Sequence, residues 1–141
     1  MNPANEEVVV IEFVNYEKHI INFVKDKENF GFFKYGPQFK NPRVGDLLRV
    51  KLEKSPDNNY YKVLSLKPAQ AGDTCEALME FAGPINIAPK SGFGFVNEIF
   101  IYPRLVKHFN LVNGQMISGK AVLSFDKKKN TWGWIGCKVD V

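Results

Sequence analysis

The tightest constraint on this chain is a spacing that occurs twice. Short segments rich in β-branched and aromatic residues return about every ten residues, and no stretch carries sustained helical periodicity. The first set reads as strands over Val8–Val14, His19–Val24, Asn29–Tyr35, Asp46–Glu53 and Tyr60–Lys67. Between them lie Asn15-Tyr16-Glu17, Asp26-Lys27-Glu28, the stretch Gly36–Gly45, and Ser55-Pro56-Asp57-Asn58-Asn59. These are turn formers, because Asn and Asp bond their own backbone while Gly and Pro supply special backbone angles. The small, polar run Lys67–Thr74 reads as a linker. A second set then follows, over Glu76–Ala88, Gly92–Asn97, Ile99–Tyr102, Gln115–Asp126 and Thr131–Val141.

Each set has three closely spaced strands, a longer connection (Gly36–Gly45 or Pro103–Gly114), and a closing hairpin. In the second connection Leu105, Val106, Phe109 and Val112 predict a brief helical turn after Pro103, a residue well suited to a first helical position. A three-strand meander with a two-strand return is the layout of the OB-fold, a five-stranded barrel. A set of about 70 residues is near the smallest size that buries a core alone. The expected fold class is therefore all-β, with two tandem five-stranded barrels over residues 1–70 and 71–141. The rival is one ten-stranded sandwich. Strand signals close to both chain ends suggest a piece of a longer polypeptide.

Charge narrows the partner class. Residues 1–72 hold 11 Lys and Arg against 9 Asp and Glu, and residues 73–141 hold 8 against 6. So mild a positive balance does not suit clamping a duplex by charge, and nucleic-acid binding would need stacking as well. No apolar run approaches a membrane span, and the amino terminus lacks the basic and apolar regions of a secretion signal. Cys75 and Cys137 form neither a CxxC pair nor a disulfide framework, and read as small apolar residues. The expected setting is reducing and cytoplasmic.

The most informative segment is Lys90-Ser91-Gly92-Phe93-Gly94-Phe95-Val96-Asn97-Glu98-Ile99-Phe100-Ile101-Tyr102. Strand side chains alternate faces, so Phe93 and Phe95 share one face and Gly94 and Val96 the other. Beyond the Asn97-Glu98 turn, Phe100 and Tyr102 oppose Ile99 and Ile101 in the same way. If Val96, Ile99 and Ile101 fill the barrel, four rings are left outside, and such a patch calls for a partner. Unpaired nucleobases fit, since every base has a π-face. Gly94 is expected to leave room for that flat partner.

This pattern resembles the cold-shock domain, whose two ribonucleoprotein motifs read roughly K-G-[FY]-G-F-[IV] and V-F-V-H-F. Gly92-Phe93-Gly94-Phe95-Val96 matches the first motif, with Lys90 one place early and Ser91 inserted. Ile99-Phe100-Ile101-Tyr102 matches the second, with Tyr102 where the family usually has histidine. Pro84-Ile85-Asn86-Ile87 lacks the family's first-strand aromatic, and the loop between the motifs is short. The resemblance covers about residues 76–141. It implies single-stranded RNA or DNA, RNA ahead of DNA, stacked on Phe93, Phe95, Phe100 and Tyr102.

The first half is a degenerate version. Lys18–Val24 can be laid on the first motif and Gly31–Tyr35 on the second, which puts Ile21, Phe23, Phe32 and Lys34 outside. Phe23, Phe32 and Lys34 are thus secondary candidates. Lys90 and the hairpin-tip lysines Lys127 and Lys128, beside Lys129, are candidates for phosphate contact. Trp132 and Trp134 share a face and either extend the stacking surface or pack a barrel end or the seam between barrels. The remaining phenylalanines Phe13, Phe39, Phe81, Phe109 and Phe125 are expected in the cores.

His19 and His108 have no companions at metal-ligand spacing, and no nucleophile, phosphate-loop or zinc-hydrolase motif occurs. The expectation is a non-catalytic module without cofactor or metal that binds single-stranded nucleic acid. The alternative is a tandem barrel that holds a protein partner or a parent polypeptide, its four rings covered by the other barrel.

Overall fold

The computed structural model describes residues 5–141; the opening residues of the amino terminus read above lie outside that range. The chain divides into two compact units, residues 1–77 and 78–141.

In the first unit, β1 (Glu7–Asn15), β2 (Ile20–Val24), β3 (Phe30–Lys34), β4 (Leu47–Lys54) and β5 (Tyr61–Pro68) form one sheet in the order β3-β2-β1-β4-β5. Its edge strands meet at a single parallel bridge, Phe32 to Tyr60, so the sheet curls into a half-barrel. Val9, Ile11, Ile21, Phe23, Phe33, Leu48, Val50, Leu52 and Tyr61 fill the concave side. Phe13, expected in this core, is 55% exposed. The register explains the reversal: Ile11 pairs with Phe23, but Phe13 pairs with Asn22, so Glu12 is an extra residue. A bulge of this kind inverts the parity of everything after it, and Val14 turns inward in place of Phe13.

Residues 71–77, read as linker and second barrel, cluster with the first unit. Arg49 donates to both carboxylate oxygens of Asp73, at 2.7 and 2.8 Å. The Cys75 thiol points at the carbonyls of Val24 and Lys25, at 3.7 and 3.4 Å, and burial pushes it above its ordinary pKa.

In the second unit the expected strand Glu76–Ala88 is two shorter ones, β6 (Leu78–Pro84) and β7 (Asn86–Ile87). Between them Ile85 is fully buried and bonds residues 114 and 115 through its own backbone. The order is β6-β10-β11-β9-β8-β7, with β8 (Gly94–Val96), β9 (Ile99–Ile101), β10 (Met116–Asp126) and β11 (Thr131–Asp140). The two ends of this sheet are consecutive pieces of one bent strand, so the sheet closes on itself. The parallel β9–β11 pair completes the ring. The expected helical turn is α1 (Pro103–His108), with proline at its start and Lys107 in its last turn, where a cation suits the carbonyl end. Both units have the five-stranded barrel layout of tandem OB domains, with the first strand of the second unit broken in two.

Candidate nucleic-acid interface

The β8–β9 hairpin has the register its alternation predicts. Phe95 pairs with Phe100 and Val96 with Ile99 across a two-residue turn, in which Asn97 takes the left-handed conformation that asparagine tolerates. Val96, Ile99 and Ile101 are buried. Phe95 and Tyr102 are exposed, and Phe93 and Phe100 half-buried. Gly94 does not make room for an outside partner: its bare side faces the core, where an added Cβ would lie 2.7 Å from Ile85 Cδ1.

The four rings do not form a flat platform. Phe100 sits at the centre, its centroid 5.4 Å from Phe93, 5.5 Å from Phe95 and 5.1 Å from Tyr102. Phe95 and Tyr102 stand at 69° and 86° to it. Such edge-to-face packing satisfies the ring quadrupoles. It leaves Phe95 and Tyr102 as the most open rings, with the Arg104 guanidinium 5.5 Å from the centre of Tyr102.

This cluster is one wall of an open groove of about 730 Å³. Gly133 and Ile135 of β11 line it beside the rings, and Ile135 pairs directly with Phe100. Phe125 and the β10–β11 turn form the other side, with Lys127, Lys128 and Lys129 along it. That turn is held by Asp126, whose carboxylate accepts from the backbone N–H of Lys128 at 2.9 Å and of Lys129 at 3.2 Å. The lysines therefore project from a fixed loop beside an apolar trough.

Comparison with known proteins agrees with this geometry. Residues 79–139 match the family described as S1/CSD-like domain 2 of the TOTE conflict systems, and residues 1–64 match S1/CSD-like domain 1 of the same systems. The chain is a pair of S1/CSD-like domains of the TOTE conflict systems. No curated protein and no solved structure matches it. The resemblance to the cold-shock domain is thus the CSD side of this family.

Of the residues singled out from the sequence, Phe93, Phe95, Phe100, Tyr102, Lys127, Lys128 and Trp134 line the groove of the second S1/CSD-like domain. Lys90 is exposed in the loop before β8 and does not line it. Trp134 also packs on the core. Trp132 contacts Phe125 edge-on at 5.4 Å and lies outside the lining. Lys129, of the same hairpin run, lines the groove too, and sequence reasoning missed Glu98, Gly133, Ile135 and Phe125. Phe125, expected in the core, is 37% exposed at the groove edge. Its place near the end of a long hairpin, beyond the barrel's depth, was the available signal.

In the first S1/CSD-like domain the motif alignment is off by one. Ile21 and Phe23 are buried in the core, with Phe23 edge-on to Tyr61 at 5.0 Å, so Phe23 is withdrawn as a binding residue. A one-residue slip moves a strand's whole apolar set to the other face, and burying Ile21 and Phe23 leaves polar Asn22 outside. Phe32 remains half-buried and Lys34 exposed on the outer face. No group of three His, Cys, Asp or Glu gathers at metal-binding distance among the described residues.

Proposed function

We propose that the second S1/CSD-like domain binds single-stranded nucleic acid, RNA ahead of DNA, in the groove between its aromatic cluster and its lysine hairpin. One observation carries this reading. Open rings and three lysines line the same trough, so a strand can stack its bases on one side and set its phosphates on the other. Phe95 and Tyr102 offer the stacking faces. Arg104, its guanidinium over the Tyr102 ring, adds a cation beside that ring. The fold class supports it, since OB-type barrels commonly bind oligonucleotides. The role is a cytoplasmic, non-catalytic one in which the groove holds a strand without changing it.

The test is a fluorescence titration with single-stranded RNA and DNA oligonucleotides at low salt, using Trp134 in the groove as reporter. Phe95→Ala and Tyr102→Ala should each weaken binding by about 1–3 kcal/mol, the usual worth of a base–aromatic contact. No measurable binding by the wild type, or unchanged affinity in both variants, refutes the proposal.

A further inference from the structure

Two acidic side chains line the groove of the second domain, and they differ in what holds them. The Asp126 carboxylate is engaged, accepting from backbone N–H groups of its own turn. Glu98 is exposed and, among the described residues, makes no hydrogen bond and no ion pair, the three groove lysines included. The parallel β9–β11 pair joins Ile99 to Trp134, and one step back along both strands come Glu98 and Gly133. Gly133 is exposed, and a Cβ added there would meet nothing within 4 Å. Bare backbone is therefore the floor of the groove at this point, with the Glu98 side chain at its edge. Phe100 and Ile135 lie two residues further along each strand, roughly 7 Å away.

We infer that Glu98 and Gly133 form a base-selecting pocket within the groove, and that the base it selects is guanine. The inference rests on the groove reading above and adds a choice of base to it. A flat ring can lie over the glycine and turn its edge to the carboxylate, which can only accept hydrogen bonds. Guanine is the one standard base with two adjacent donors on its Watson–Crick edge, N1–H and the 2-amino group, so it can meet both carboxylate oxygens at once. Uracil and thymine set a single N3–H between two carbonyl oxygens, which a carboxylate repels. Cytosine and adenine place an amine beside a bare ring nitrogen, so each offers one bond and one repulsive contact. Charge sharpens the choice. A free carboxylate in a groove for a polyanion repels the phosphates that the lysines attract, and a base that fills its lone pairs offsets that repulsion.

The experiment uses the full chain at low salt and fluorescein-labelled strands of about nine nucleotides, within the usual site on one OB fold. One strand is oligo(U), and the other carries a single central guanine, which avoids the self-association of guanine runs. Anisotropy should show the guanine strand bound about fivefold or more tightly, the low end of what a bidentate base contact discriminates. Inosine in place of guanine lacks the 2-amino group and should lose part of that gain. Glu98→Gln should bring the two strands to within about twofold of each other, while oligo(U) binds as tightly as before or more tightly, because a repelling charge is gone. Damage to the turn would weaken both strands instead, and a melting curve of the variant checks the fold. The DNA pair, oligo(dT) with and without one central dG, should repeat the pattern, since the contact is to the base. Equal binding of both strands by the wild type, or an undiminished preference in Glu98→Gln, overturns the inference and leaves the groove reading standing. A loss in Glu98→Gln that is equal for both RNA strands and absent in DNA overturns it too, and assigns the carboxylate to the ribose 2′-hydroxyl. No binding of any strand overturns the inference and the groove reading together.

Discussion

Gly133→Leu separates blocking the groove from damaging the fold. Gly133 is exposed on β11, and a Cβ built there meets no heavy atom within 4 Å. A leucine at this point starts from open space at its Cβ and extends into a groove of about 730 Å³ lined by Ile135 and Phe100. Its branched end takes the space a base would use. Losing one stacked base costs about 1–3 kcal/mol, or roughly five- to 150-fold in affinity. The fold should respond in the opposite direction. Glycine inside a strand costs about 0.5–1 kcal/mol relative to alanine, and 1 kcal/mol moves Tm by about 4–8 °C in a domain of this size. The variant should therefore bind at least about fivefold more weakly and melt at the wild-type temperature or a few degrees above it. Oligonucleotide titration and calorimetric melting on the same sample read both. Intact melting with unchanged affinity refutes the groove as the binding site; a large fall in Tm refutes the open space assigned to position 133.

Three further outcomes follow from the geometry. Phe23→Ala removes a fully buried ring that meets Phe33 at 5.7 Å and Tyr61 at 5.0 Å, so denaturant unfolding should show a loss of about 3–5 kcal/mol. Replacing Lys127, Lys128 and Lys129 together by alanine should flatten the salt dependence of binding, by about 0.7 in the log–log slope for each phosphate contact removed. The Arg49 hydrogen bonds hold the Asp73 carboxyl at about 2, below its ordinary 3.8. A depressed carboxylate contributes stability that is complete above its ordinary value and fades as pH falls through the depressed one. Melting profiles should therefore show wild type above Asp73→Asn at neutral pH, with the gap closing between pH 3.8 and about 2.

Much of this architecture was legible along the chain. Strand positions and the broad two-unit layout follow from local alternation and turn residues, as does the inward set Val96, Ile99 and Ile101. These depend on side-chain period and on Asn and Gly in turns, which act over a few residues. The facing of Ile21 and Phe23 was legible as well, since Asn22 between them marks the solvent side. A motif alignment from the other half of the chain overrode that local signal and was wrong by one residue.

Other features rest on contacts between residues distant in sequence, which no local pattern carries. The Glu12 bulge lies just past Val10, which pairs with both β2 and β4, and the register shift there turns Phe13 outward. The break at Ile85 lets one strand serve both ends of a closed sheet. Gly94 is there to admit Ile85, nine residues earlier, rather than a ligand. The groove itself joins the β8–β9 rings to a lysine turn some thirty residues later through the parallel β9–β11 pair. Alternation told which side chains face out of each strand. Only the closure of the sheet decided which outward faces meet, because closure brings together strands whose order in space differs from their order in the chain.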